Sequence, residues 1–484
     1  MMNRASRVDL LSIVSLFVSV LLAGCGSPSI SVAPQAPLSS KNLNLIFVAS
    51  EDLAYNSAGD MNPITANLSN RGLQRSLLMG TFLQHKVLGG NNVTGIYALE
   101  PMTHLQTANN YPDMVGLETI QQFAMLNQIS LSSPPVGAFS YPISASYASG
   151  PLPAGVAQPV LPCPACQGLD FNDENGDNEA LVSGILQANA PGYYVFSAPW
   201  ETISALMTNI NQLEGYKVQV PSAYAGPNSV YAISLTPQGS ANFNTYDSKL
   251  IAPATYPVLP SPVPTNNACT TQTPFSIALT GGSGGAQIPT GINTNETVYF
   301  IRHAEAHPTG TWDDGNYVGA GQWRALALAS ALRGKIQPNQ VISVDPAVGM
   351  PLGVADVASS YVRAALTVEP YAIANNLPFN LAADIPVLAQ NPPKPATYTS
   401  TYFFTGGKFS NQTLLVAWEH ERIGTTIAAL LASYQSSQPA PVWPDDDYDG
   451  IWTVTLDAEG NLTANNNLCE GINSAALPVA PPQF

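Results

Sequence analysis

Short apolar runs bounded by Gly, Pro, Asn or Asp recur along the chain, and between them apolar residues return at helical spacing. Leu45-Ile46-Phe47-Val48 and Val298-Tyr299-Phe300-Ile301 read as buried strands, and Gly72–Leu77 and Gly321–Leu332 as helices. Strands alternating with helices predict an α/β protein with a mainly parallel sheet and helices on both faces. In such sheets ligands sit beyond the carboxyl ends of the strands, so chemistry is sought in the residues that directly follow the apolar runs.

The pattern is written twice. Gly72-Leu73-Gln74-Arg75 aligns with Gly321-Gln322-Trp323-Arg324, and Val93–Tyr97 with Val341–Asp345. Tyr194-Val195-Phe196 aligns with Leu415-Val416-Ala417, and Tyr231–Leu235 with Trp452–Leu456. Two tandem three-layer α/β/α domains are expected, over 43–249 and 296–484, with room for them to pack on each other. Residues 250–295, rich in Pro, Thr, Ser and Gly, read as a linker or covering loop.

Composition narrows the partners. The 484 residues carry 16 Lys plus Arg against 32 Asp plus Glu, a net charge of -16, which argues against a nucleic-acid partner. A site for an anion must then be a local cluster of scarce cations, so every Arg is informative.

Arg4 and Arg7 precede an apolar stretch, Val8–Leu22, that ends in Leu22-Ala23-Gly24-Cys25. This resembles the lipobox of bacterial lipoproteins, which implies a signal peptide over 1–24, lipidation of Cys25 and a tether over 25–42. Ser27 in place of Asp points to the outer membrane of the cell envelope. A plain secretory signal and a short membrane helix are the alternatives. Cys163, Cys166, Cys269 and Cys469 remain for an oxidising compartment, with three pairings open. Cys163–Cys166 as a local bridge and Cys269–Cys469 as a clasp are favoured over a zinc or redox CxxC.

The chemistry-bearing residues cluster in the second half. The strand at Val298 runs into Arg302-His303-Ala304-Glu305, a later segment reads Ser359-Ser360-Tyr361-Val362-Arg363-Ala364-Ala365-Leu366-Thr367, and the strand Thr413–Trp418 delivers Glu419-His420-Glu421. Two of the five His are involved. The constellation resembles the histidine phosphatase superfamily, the phosphoglycerate-mutase-like fold, over about residues 296–463. The resemblance implies Arg302 and Arg363 as phosphate ligands, His303 as nucleophile, His420 as the second pocket histidine and Glu305 as an accessory residue. It also implies a small phosphorylated substrate and neither metal nor cofactor. The residue types suit that chemistry: guanidinium forks match phosphate oxygens, and an imidazole among cations stays neutral and nucleophilic. The proton donor stays open between Glu421 and Asp384.

Repeat alignment sets Arg302 against Ala49, His303 against Ser50, Arg363 against Val115 and His420 against Trp200. The first half is therefore expected to be catalytically inactive, either packing on the active half or serving as a separate binding module. The rival to an enzyme is a surface-binding or assembly lipoprotein. His85 reads as a surface or packing residue, His104 leaves a relic or a binding role open, and His307, four residues beyond His303, is open between bordering the pocket and standing outside it. Asp170–Glu179 fails the register of a calcium loop, and Asp445-Asp446-Asp447-Tyr448-Asp449 reads as a solvated turn.

Overall fold

The computed structural model describes residues 35–50, 60–65, 67–99, 102–103, 112–127, 143–146, 179–266, 269, 273–282, 285–306, 315–344, 349–351, 358–382 and 396–484. Cys25, His104, Cys163, Cys166, His307, Asp384 and most of Asp170–Glu179 lie outside the described residues. Residues Ala36–Phe484 form one compact unit.

Two sheets organise that unit. The first comprises β1 (Leu43–Ser50), β2 (Gly95–Leu99), β3 (Ile143–Ser146), β4 (Gly192–Pro199), β5 (Ser229–Leu235) and β6 (Ala241–Asp247), in the order β6-β5-β1-β4-β2-β3. The second comprises β7 (Ser276–Leu279), β8 (Glu296–Arg302), β9 (Gln340–Val344), β10 (Phe379–Ala382), β11 (Thr413–Trp418), β12 (Gly450–Leu456) and β13 (Leu462–Cys469), in the order β7-β13-β12-β8-β11-β9-β10. Apart from the extra edge strand β7, the two orders correspond strand for strand.

Both sheets are mixed, with three of five pairings parallel in the first and three of six in the second. β1–β4, β4–β2 and β2–β3 pair parallel, as do β8–β11, β11–β9 and β9–β10. The remaining pairings are antiparallel. The reason is connection length, since a parallel crossover needs a helix whereas a hairpin needs only a turn. β5–β6 and β12–β13 are joined by tight turns in which Gly239 (φ 82) and Gly460 (φ 79) take the left-handed conformation. The stretch expected as a linker supplies β7 on the edge of the second sheet, and Cys269 within it is bonded to Cys469.

Eight helices cover the sheets: α1 (Asn70–Phe82), α2 (Val115–Leu126), α3 (Glu179–Ala188), α4 (Trp200–Leu213), α5 (Gly319–Ala331), α6 (Arg363–Asn375), α7 (Ala396–Phe404) and α8 (His420–Ser433), counted among the described residues. Side chains alternate along β1: Ile46 and Val48 join the core shared with α1, α2, α5 and α6, whereas Leu45 and Phe47 pack with α3 and α4. That is why the run is apolar at every position. α7 and α8 close the far face of the second sheet over Phe300 and Trp418. The inner helices of both halves thus share one core, and α5, buried on nearly every side, is built largely from Ala, Gly and Leu.

Polar groups within this shared core are paired across the halves. Gln121 and Asn316 exchange amide hydrogen bonds of 2.9 and 3.0 Å, and Gln322 donates to Gln122 at 2.6 Å. Glu118 on α2 is hydrogen-bonded to Glu369 on α6, and burial pushes its carboxyl up to about 7. The phenols of Tyr256 and Tyr317 are raised by burial and then by the Glu118 charge. A carboxyl titrating higher in the folded than in the unfolded chain contributes stability below the ordinary glutamate pKa, and that stability is lost as pH rises toward 7. Thermal unfolding across pH 4.5–7 should therefore show a decline that Glu118→Gln makes shallower, with Glu296 and Glu470 keeping their own share of it.

Candidate active site

Strand register assembles the site. Arg302, last in β8, lies opposite Trp418, last in β11, and the His303 N–H extends the ladder by donating to the Trp418 carbonyl at 2.9 Å. His303 and Glu419-His420 therefore leave neighbouring strand ends at one level. The start of α6 is tied to the same place. Thr367 Oγ1 accepts the Ala304 N–H at 2.8 Å and donates to the Arg363 carbonyl at 2.6 Å. The spacing from Arg363 to Thr367 is one helical turn, so one hydroxyl binds both the helix start and the backbone after His303.

The His303 ring is buried, and its Nδ1 lies 2.8 Å from the Ala304 carbonyl oxygen, which can only accept. That bond assigns the proton to Nδ1 and leaves the Nε2 lone pair for chemistry. Burial, then Arg363 and Arg302, hold the imidazole well below the ordinary histidine value, outweighing the carbonyl bond. Both guanidiniums are backed by aromatic rings: Arg302 lies 4.0 Å from the centroid of Tyr448, and Arg363 4.7 Å from that of Tyr361. The same rings flank His303 edge-on, each with its centroid 6.1 Å away. Arg302 also donates to the Asp445 carbonyl, while its buried Nε finds no acceptor among the described residues.

His420 opens α8. Its Nδ1 is 2.5 Å from Glu419 Oε1 and its Nε2 is 3.2 Å from Asp445 Oδ1. Glu419 also caps the helix, accepting the N–H groups of Glu421 and Arg422 at 3.1 and 2.9 Å. Glu421 itself is exposed in the first turn. Glu305 is turned to Arg324, which holds its carboxylate through Nε and Nη2.

The first half carries the equivalent scaffold without these groups. Ala49 and Ser50 pair with Ala198 and Pro199 at the ends of β1 and β4, Val115 begins α2, and Trp200 begins α4. A cavity at this end is lined by Ala49, Ser50, Met61, Arg75 and Val115, but the Arg75 guanidinium is engaged by Asp60, Asn228 and the Leu250 carbonyl. Both halves repeat one anchoring device. Gly72 and Gly321 leave room for a carbonyl, since an added Cβ would lie 2.2 Å from Asp60 O and 2.6 Å from Glu305 O. Three residues on, Arg75 and Arg324 bind the carboxylates of those same residues. Arg75 and Arg324, present in both halves, are thus structural, whereas Arg302 and Arg363, which have no counterpart in the first half, flank His303.

The acidic run at 445–449 is only in part the solvated turn expected: Asp445 and Asp446 are exposed, whereas Asp447 and Asp449 are buried. Asp445 and Tyr448 contact His420 and Arg302, and Asp447 and Asp449 are buried because they accept backbone N–H groups of Gly450 and Ile472. Tyr361, Tyr448, Glu419 and Asp445 were not singled out from sequence. Of these only Glu419 carries a local signal, an acidic residue at the start of a helix.

No protein-family model matches the chain, and no curated protein matches it. Among solved structures it is similar to SixA from Agrobacterium tumefaciens, assigned as a phosphohistidine phosphatase, at 17% identity and a TM-score of 0.22, covering 34% of this chain and 93% of that one. Phosphoglycerate mutase from Plasmodium falciparum overlays at 16% identity and a TM-score of 0.22, covering 38% and 96%. A SixA from Nakamurella multipartitia overlays at 13% and 0.20, covering 40% and 96%. A likeness this slight transfers no role to the chain.

Proposed function

We propose that the chain is a phosphohydrolase of the histidine phosphatase type, cleaving phosphate monoesters through a phosphohistidine on His303. The observation that carries this reading is the buried His303 ring, its Nδ1 bonded to a carbonyl and its Nε2 left for attack, depressed by burial, Arg363 and Arg302. A phosphoryl group would complete the arrangement: its oxygens offer the orphaned Arg302 Nε an acceptor, and both guanidiniums counter the charge that develops at phosphorus. In this reading His420 is the second pocket histidine and joins Arg302 and Arg363 on the phosphate. Arg324 and Glu305 stand behind the nucleophile and keep its loop in place.

The same reading takes the two sheets as an internal duplication whose first half has lost its catalytic groups. It takes Cys25 as a lipid anchor holding the protein to the bacterial envelope. Turnover of p-nitrophenyl phosphate by the soluble chain, inhibited by vanadate and indifferent to EDTA, is the expected result. An inert chain over a broad pH range would return the protein to the binding or assembly reading, and strong EDTA sensitivity would require a metal step.

A further inference from the structure

We propose that the first half completes the site of the second: Gln121, on α2, is a positioning residue that fixes the segment Gly315–Asn316 and, through it, the start of α6, where Arg363 stands. This rests on the phosphohydrolase reading and gives the half without catalytic groups a part in it. The link is a short chain of hydrogen bonds. Gln121 Nε2 donates to Asn316 Oδ1 at 2.9 Å, and Asn316 Nδ2 donates back to Gln121 Oε1 at 3.0 Å. The carbonyl of the peptide joining Gly315 to Asn316 accepts the Arg363 N–H at 3.0 Å. Gln121, Asn316 and Arg363 are all buried.

α6 relies on that carbonyl. The first N–H groups of a helix have no partner within it, and Val362, at the N-cap, has no side-chain oxygen to offer them. The acceptor for Arg363 comes instead from Gly315, which takes the left-handed conformation (φ 75) that glycine adopts without strain. The second half ties the main chain just after Asn316, through the Val318 N–H on the Glu305 carbonyl at 2.8 Å and a bridge between Ala306 and Tyr317. The Asn316 side chain is held from the first half. Without Gln121 it would lose two buried hydrogen bonds, and the segment would be drawn to a new arrangement.

The two halves differ at this point. By the alignment of Gly72 with Gly321, Asn67 holds the place of Asn316. Its Oδ1 accepts the Leu68 N–H at 2.8 Å, as Asn316 Oδ1 accepts that of Tyr317 at 2.8 Å, yet its amide nitrogen meets no acceptor among the described residues. Among those residues the two-way exchange is thus made on the side that carries Arg363 and not on the side that carries Val115. Gln122, next on α2, gives a contrast within one helix. It accepts from Gln322 at 2.6 Å and donates to the Pro482 carbonyl at 2.8 Å, bonds that reach other parts of the second half than the start of α6.

The test uses the full chain with two readouts, the affinity for inorganic phosphate and kcat/KM on p-nitrophenyl phosphate. Gln121→Met keeps the bulk of the side chain and removes its amide, and is expected to lower both by about tenfold as Arg363 is displaced. Gln122→Met breaks bonds of the same kind and should leave both within about twofold of wild type. In the Arg363→Ala chain, Gln121→Met should add no more than about twofold, because the residue through which it acts is gone. Should Gln121→Met not fold, Asn316→Ser breaks the same exchange from the other side and should give the same loss. Equal losses in Gln121→Met and Gln122→Met, a tenfold loss that persists without Arg363, or unchanged readouts overturn the proposal. Phosphate binding separates the two claims. A chain whose phosphate affinity depends on Gln121 but which turns over no ester overturns the phosphohydrolase reading and leaves the positioning role standing. Turnover that needs His303, with phosphate affinity and kcat/KM untouched by Gln121→Met, overturns the positioning role alone.

Discussion

His303→Ala should lower kcat/KM on p-nitrophenyl phosphate by on the order of 10⁴-fold, the scale seen when a nucleophile is removed and binding groups remain. The size follows from the site's division of labour. Arg302 and Arg363 are held by Tyr448 and Tyr361 and by the Asp445 carbonyl, contacts that do not pass through the imidazole. Anion binding should therefore persist, and inorganic phosphate or vanadate should still bind within about tenfold, each tenfold being about 1.4 kcal/mol. What disappears is the attacking lone pair. The direct check is rapid quenching of wild type during turnover, which should trap a phosphoryl group stable to alkali and lost in acid, and the same experiment on His303→Ala should trap nothing. A variant retaining more than a tenth of wild-type activity would place the nucleophile elsewhere.

The second large effect is on stability. Arg324 is fully buried and bonds to Glu305, Glu470, the Ile472 carbonyl and the Ser474 hydroxyl, with Asp449 3.9 Å away. One cation among three carboxyls cannot ionise all of them. Arg324 holds Glu305 below its ordinary value against the pull of burial, whereas burial pushes Glu470 up to about 8 and raises Asp449. Near neutral pH Arg324 is thus paired foremost with Glu305, while burial holds Glu470 toward its protonated form and raises Asp449 from its ordinary value. Arg324→Met leaves Glu305 charged and alone in the interior and should cost about 3–5 kcal/mol, the range for breaking one side of a buried pair. Denaturant unfolding of the double variant Arg324→Met/Glu305→Gln should recover a large part of that loss, because the carboxylate that Arg324 holds ionised is removed together with it. If the single variant unfolds within about 1 kcal/mol of wild type, the cluster is not the anchor described here.

Much of the second half could be read from residue order. Arg302-His303 follows an apolar run, Arg363 and Thr367 are one helical turn apart, and His420 follows another run, so each could be placed at a strand end or helix start from local pattern alone. The repeat also separated two kinds of arginine. Arg75 and Arg324 recur in both halves and are anchors, whereas Arg302 and Arg363 have no counterpart and flank His303. The acidic run misled because charge density alone says nothing of burial. Asp447 and Asp449 are buried as acceptors for backbone N–H groups that the hairpin at β12 brings to them.

Local pattern determined where strands end, which residues stand there, and that one half lacks what the other has, because periodicity and motif spacing are properties of neighbouring positions. Only the folded chain decided that Tyr448 backs Arg302, that Asp445 meets His420, and that Glu118 and Glu369 share a buried site between α2 and α6. Those partners are separated by long stretches of chain, and their contacts arise from sheet register and from the packing of four helices into one core.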